Sequence, residues 1–208
     1  MIELFKTYIS EQFKYPLPGI KTHLEAAPYR KADVDELTKK QARQSGVLIL
    51  FYEKNNILHT VLIKRAINNS NHSGQIAFPG GKKEEHDANL IETALREANE
   101  EIGIVKEHVD VIGKLTDVFI PVSNFLVAPV IGFIDYSPTF TLQISEVYDI
   151  VEVEVQTLIH PNTFQQQMVK LSGGVQLKVP CFVVNKQIVW GATALMINEL
   201  RYLIKDFY

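Results

Sequence analysis

The chain has 208 residues, 46% of them hydrophobic and 22% charged, with a formal net charge of −3. That size suits one compact core, read here as a main domain over 44–208 preceded by an N-terminal helix and connector over 1–43. The composition gives no sign of the clustered basic face that nucleic-acid binding requires, and a single cysteine excludes an intrachain disulfide framework.

In chain order, Ile2, Leu4, Phe5, Ile9 and Phe13 fall at mixed helical spacing and predict a short amphipathic helix. Its charges, Glu3, Lys6 and Glu11, do not fit a signal peptide. No apolar run approaches the roughly 20 residues of a membrane span, so no membrane partner is expected and the cytoplasm is the expected location. A Pro-rich connector follows at Tyr15–Gly19, then a charged stretch, Lys31–Arg43, read as a solvated link or short helix.

Val47–Tyr52 and Leu58–Arg65 read as buried strands, and Glu53-Lys54-Asn55-Asn56 between them reads as a hairpin loop. Ser70–Gly74 is small and polar and reads as a loop; Phe78-Pro79-Gly80-Gly81 reads as a turn that brings backbone close to a ligand. A helix is predicted from Asp87 to Ile102, stopped by Gly103, with Ile91, Leu95, Ala98 and Ile102 as its buried stripe. Further strands are predicted at Val109–Leu115, Phe125–Ile134 and Val175–Val179. A hairpin pairs Cys181–Val184 with Ile188–Trp190 across Asn185-Lys186, and a closing helix spans Ala192–Ile204. This order predicts an α+β fold with a mixed sheet rather than a doubly wound parallel sheet. Cys181, flanked by Pro180 and Phe182, reads as a buried structural thiol.

The chemistry concentrates in Leu95-Arg96-Glu97-Ala98-Asn99-Glu100-Glu101-Ile102-Gly103. On a helix, Glu97, Glu100 and Glu101 share an arc of about 100°, apart from the apolar stripe. Three like charges at that spacing repel unless a hard divalent cation, Mg²⁺ or Mn²⁺, draws on their oxygens. A solvated acidic face is the plain reading of three glutamates alone. Their combination with Gly80-Gly81 upstream favours a metal site, with Arg96 placed to hold one carboxylate.

Gly81 through Ile104 resembles the Nudix box. Arg96, Glu97, Ala98, Glu100, Glu101, Gly103 and Ile104 match its core, Asp87 stands at the early acidic position, and the spacer to Arg96 is one residue longer than usual. The resemblance implies a Nudix fold, a mixed β-sheet sandwiched between α-helices, and metal-dependent hydrolysis of a diphosphate bond in a small-molecule substrate. It further implies Glu97, Glu100 and Glu101 as metal ligands.

Upstream, Val61-Leu62-Ile63-Lys64-Arg65-Ala66, then Ser70, Gly74 and Phe78–Gly81, is similar in spacing to the extra signature of the coenzyme A pyrophosphatases. That implies CoA cleavage to 4′-phosphopantetheine and adenosine 3′,5′-bisphosphate. Ile63, Ala66 and Ser70 depart from the signature, and Ser70 removes a bidentate phosphate donor. ADP-ribose or NADH is therefore the rival substrate, and a non-catalytic nucleotide sensor is a further alternative. Arg65 is either a substrate contact, with the 3′-phosphate of CoA as its expected partner and the diphosphate as the alternative, or a solvated strand end; Lys64, His72 and Lys82 are other cations nearby, with His72 read as a loop histidine without a role. The general base is Glu100, Glu101 or Glu146, and Glu146 competes with a reading as one of several surface acids up to Glu154. Phe119, Phe125 and Trp190 either stack on a base or pack the core. A homodimer is possible.

Overall fold

The structure is a computed structural model that describes residues 1–29, 34–67, 72–170 and 174–208. Its centre is a long hairpin of β1 (Arg43–Lys54) and β2 (Ile57–Arg65). Asn55 and Asn56 turn it with φ of 53° and 63°, which asparagine tolerates better than most residues. The predicted hairpin loop is therefore a two-residue turn.

Around this hairpin lie β3 (Ile76–Ala77), β4 (Gly80–Lys82), β5 (Asp110–Lys114), β6 (Val118–Ile120), β7 (Phe125–Phe133) and β8 (Val147–Glu154). The sheet runs β3-β2-β1-β7-β5, with β4 on β1, β6 on β7 and β8 on β2. Among the described residues only β1 and β7 run parallel, over Arg43↔Phe125 to Phe51↔Phe133; the other pairs are antiparallel, so the sheet is mixed as expected.

Two hydrophobic layers flank the sheet. Leu48, Leu50, Val61, Ile63 and Val130 face α4 (Leu90–Ile102), which contributes Ala94, Leu95, Ala98 and Ile102. Each such large aliphatic side chain, fully buried, contributes about 1.5–3 kcal/mol. Gly46 lets α4 settle onto β1, because a Cβ there would strike the Leu90 carbonyl and Ala94. The opposite face packs Ile49, Phe51, Leu62, Val127 and Ile131 against α1 (Ile2–Gln12) and α6 (Ala192–Ile204). Phe5 and Ile9 of α1 are fully buried there. The short helix α2 (Ile20–Ala26) lies on α6, where Glu199 accepts hydrogen bonds from Gly19 N and Thr116 Oγ1 and sits 2.9 Å from His23 Nε2. The remaining elements are α3 (Glu36–Gln41), α5 (Val155–Ile159), β9 (Phe164–Lys170), β10 (Gln176–Val184) and β11 (Gln187–Val189). The last three strands form a separate sheet in the order β11-β10-β9.

Phe78–Gly81 is not a free turn: Gly80 and Gly81 begin β4 and pair with Val47 and Gly46. The helix of the glutamates starts at Leu90, not Asp87, because Asn89 Oδ1 caps it by accepting from the N–H groups of Ile91 and Glu92. Gly103 ends it in the left-handed conformation, φ 75°, as predicted. Val175–Val179 and Cys181–Val184 are one strand, β10, whose Pro180 lies opposite Gln166 of β9. Elements α2, α5, β6, β8 and β9 were not anticipated; each is short, exposed or rich in charge and glutamine, and leaves little periodic signal. Among the described residues, no helix is long and apolar enough to cross a membrane.

Candidate active site

The site forms where the C-terminal half of α4 crosses the paired β4 and β1. Gly81 lies directly beneath Glu97, so any Cβ at Gly81 would occupy the space of the Glu97 carboxylate. Gly80 N–H donates to Glu101 Oε2 at 2.8 Å, and its own Cβ position is filled by the Gly46 carbonyl and Val47. The two glycines thus let backbone approach two carboxylates at once.

The three box glutamates are not equivalent. Glu101 is 1% exposed, which corrects the expectation of an acidic arc apart from the buried stripe. Glu97 is largely enclosed, and Glu100 is exposed. Burial pushes the Glu101 carboxyl up to about 7; the Gly80 N–H and Arg65 oppose the rise, and the charges of Glu97 and Glu146 add to it. Burial likewise raises Glu97, with Arg96 opposing and Glu100 and Glu146 adding. Glu146, exposed at the mouth of β8, therefore stands within electrostatic reach of both.

Arg96 organises the approach. Its Nε and Nη2 donate to the two oxygens of Asp87 at 2.9 and 3.0 Å. Nη2 also meets Glu97 Oε1 at 3.0 Å and donates to the Lys82 carbonyl, and Nη1 donates to Glu100 Oε2 at 3.0 Å. Arg96 therefore holds three carboxylates rather than the one expected of it. Asp87 is buried, and Arg96 holds its carboxyl well below the usual range, helped by the Glu84 N–H and Thr93 hydroxyl. The early acidic position is thus an anchor for the arginine.

Arg65 ends β2 with Nη1 3.5 Å from Glu101 Oε1. Its neighbour Ala66 donates its N–H to the Glu146 carbonyl, which ties Arg65, Glu101 and Glu146 to one end of the sheet. A bulge between Lys64 and Arg65 breaks the β2–β8 register there. Lys64 stands over Tyr148 instead of the carboxylates, and His72 lies 3.1 Å from Gln75 Oε1. Ser70, where the upstream signature departs, lies outside the described residues. Phe119, Phe125 and Trp190 are all half-buried, and Arg43 covers the Phe125 ring at 4.0 Å. Cys181 is buried and burial raises its thiol, in keeping with a structural role.

A divalent metal fits this donor set. Glu101 Oε1 is buried without a hydrogen-bond partner, and Glu97 stands over the same pair of glycines. Among the described residues, no three acidic, histidine or cysteine side chains converge as a ready-made metal cage. Magnesium is commonly held by one or two carboxylates, waters and substrate phosphates, so such a cage is not required.

Residues 42–157 match the family model for the NUDIX domain, more than half of the chain. A protein of Pectobacterium atrosepticum named "uncharacterized Nudix hydrolase NudL" is 34% identical over 175 residues, which cover 80% of this chain and 85% of that one. A Cronobacter sakazakii protein of the same name is 37% identical over 146 residues, covering 70% and 75%. Among solved structures, a MutT/nudix family protein from Enterococcus faecalis superposes with a TM-score of 0.54 at 13% identity, covering 92% of this chain and 76% of that one. At that identity the likeness concerns the fold alone.

Proposed function

The chain belongs to the Nudix hydrolase family, and from that premise we propose that it hydrolyses the diphosphate bond of coenzyme A or its derivatives, with Mg²⁺ or Mn²⁺. The products are 4′-phosphopantetheine and adenosine 3′,5′-bisphosphate. The observation that carries the diphosphatase reading is the buried Glu101 carboxylate, with one oxygen on Gly80 N–H and the other without a hydrogen-bond partner beside Glu97. The CoA assignment is supported by the upstream signature from Val61 to Gly81.

In this reading Glu97, Glu100 and Glu101 are the metal ligands. A divalent metal held there would supply charge neutralisation for phosphate oxygens and would lower the pKa of the attacking water. Arg65, beside Glu101, binds a phosphate oxygen of the scissile diphosphate and offsets the charge that develops on it. Gly80 and Gly81 keep the diphosphate close to the backbone. Arg96 keeps Glu97 and Glu100 aimed while Asp87 fixes Arg96. Glu146 is the general base: its carboxylate takes the proton of the attacking water, since Glu101 is committed to Gly80 N–H.

The test is a comparison of kcat/KM on CoA, dephospho-CoA, ADP-ribose and NADH with product identification. CoA as the preferred substrate supports the reading. Preference for ADP-ribose or NADH returns the assignment to the rival substrates, with Ser70 as the first position to restore to arginine. No turnover of any of them, with nucleotide still bound, favours the sensor.

A further inference from the structure

We propose that Arg43 and Lys82, with the Phe125 ring beside them, form a second anion subsite that reads the 3′-phosphate of an adenosine 3′,5′-bisphosphate group; this rests on the CoA reading above. The extra phosphate on that ligand calls for a cation of its own. Arg65 is not free to supply it, because its guanidinium stands 3.5 Å from Glu101 Oε1, where the proposed function assigns it to the diphosphate.

The sheet register places the two candidate cations. Ser45 lies opposite Lys82 across the antiparallel β1–β4 pair, and Gly46 lies opposite Gly81. Opposed residues share a face and alternate residues return to it, so Lys82, Ser45 and Arg43 point to one side while Gly81 and Glu97 occupy the other. Lys82 and Arg43 are thus diagonal neighbours, roughly 7–8 Å apart at the backbone and within reach of one phosphate. Phe125 lies in register with Arg43 across the parallel β1–β7 pair, and its ring carries the guanidinium at 4.0 Å.

Both cations are exposed, and among the described residues neither has an acidic partner; Arg43 Nη2 donates only to the Ser123 carbonyl. The other cations near the site are engaged. Arg96 is taken by Asp87, Glu97 and Glu100, Lys83 donates to the Asp87 carbonyl, and Lys64 covers Tyr148. Arg43 lies three residues along β1 from Gly46, which pairs with Gly81, or about 10 Å at roughly 3.4 Å per residue. Among the described residues strand β4 pairs with β1 alone, and in this proposal the nucleotide passes around its other edge from the carboxylates to this face. Arginine suits the role because its planar fork grips phosphate with two parallel hydrogen bonds while its face stacks on the aromatic ring.

The experiment is calorimetric titration of the full chain, in Mg²⁺, with adenosine 3′,5′-bisphosphate and with adenosine 5′-monophosphate, for wild type, Arg43→Ala, Lys82→Ala and the double variant. Arg43 and Lys82 are exposed, and Arg43→Lys gives a further variant that keeps the charge but loses the fork. Wild type should bind the bisphosphate at least about tenfold tighter than the monophosphate. Each single variant should lose most of that ratio, the double variant all of it, and Arg43→Lys part of it. A double variant that keeps the wild-type ratio overturns the subsite while leaving the CoA reading intact. A wild type that does not discriminate overturns the subsite, and preferred turnover of CoA in the same protein would show that the CoA reading survives it.

Discussion

The Arg96 guanidinium grips buried Asp87 with two hydrogen bonds, 2.9 and 3.0 Å long, and reaches Glu97 and Glu100 with its remaining nitrogens. Asp87→Asn breaks this pair and leaves the half-buried Arg96 guanidinium short of its buried anchor. Removal of one partner from a buried pair costs about 3–5 kcal/mol. Urea unfolding should register a loss near the lower end, since Arg96 keeps Glu97 and Glu100. A change under about 0.5 kcal/mol would assign Asp87 no anchoring role.

The same pair sets an acid limit. Asp87 is held below its ordinary value in the folded chain, so its stabilisation is complete above the unfolded carboxylate value and is lost as pH falls through the lower folded value. Acid unfolding of wild type should therefore be steeper than that of Asp87→Asn below pH about 4. Parallel curves for the two proteins would contradict this.

Glu101 has the opposite sign. Its folded value is raised to about 7, so below the ordinary carboxylate value it costs nothing, and as pH rises through about 7 the metal-free fold must carry a buried charge and loses stability. Metal-free Glu101→Gln should therefore melt higher than metal-free wild type at pH 8, by roughly 2–4 °C for each kcal/mol relieved, and equally at pH 4. Stabilisation of wild type by Mg²⁺ should grow from pH 5 to 8, because protons compete with the metal. A metal effect independent of pH would remove Glu101 from the ligands.

Gly81→Ala tests the fit between turn and helix. The methyl group would occupy the space of the Glu97 carboxylate, which must turn away. The chain should remain folded by circular dichroism, while kcat falls by about a hundredfold, the cost of displacing a catalytic group by an ångström. Wild-type turnover would mean that the position of Glu97 does not matter.

Arg65→Ala discriminates between the diphosphate and the 3′-phosphate of the proposed substrate. With Arg65 on the scissile diphosphate, kcat/KM should fall about ten- to a hundredfold for CoA and dephospho-CoA alike. A loss confined to CoA would move Arg65 to the 3′-phosphate and empty the role given to Arg43.

Sequence pattern located the long apolar strands β1, β2 and β7, the helices α4 and α6, and Gly103 as the stop of α4, because burial on these elements is periodic or continuous. It also pointed to the three box glutamates. It did not distinguish them, since helical spacing places Glu101 near Glu97 but says nothing of the β4 backbone and Arg65 that enclose it. The Asp87–Arg96 clasp was hidden for the same reason: it depends on a loop, 83–89, whose path follows from the Asn89 cap and the Lys83 contact to Asp87. Strand β8 went unread because its outward Tyr148, Asp149, Glu152 and Glu154 mask the buried Val147, Val151 and Val153.

The role of the buried Glu101 carboxylate is tested most directly by kcat for CoA hydrolysis by Glu101→Gln at saturating Mg²⁺ or Mn²⁺. Glutamine is nearly isosteric and keeps an acceptor for Gly80 N–H, so the fold is retained and only the carboxylate charge is lost. Turnover should fall by about a hundredfold or more, as loss of an electrostatic contact at the reacting centre does, with an unchanged or higher melting temperature in the metal-free state. Turnover within about threefold of wild type would show that the buried carboxylate over Gly80 is not part of the metal site.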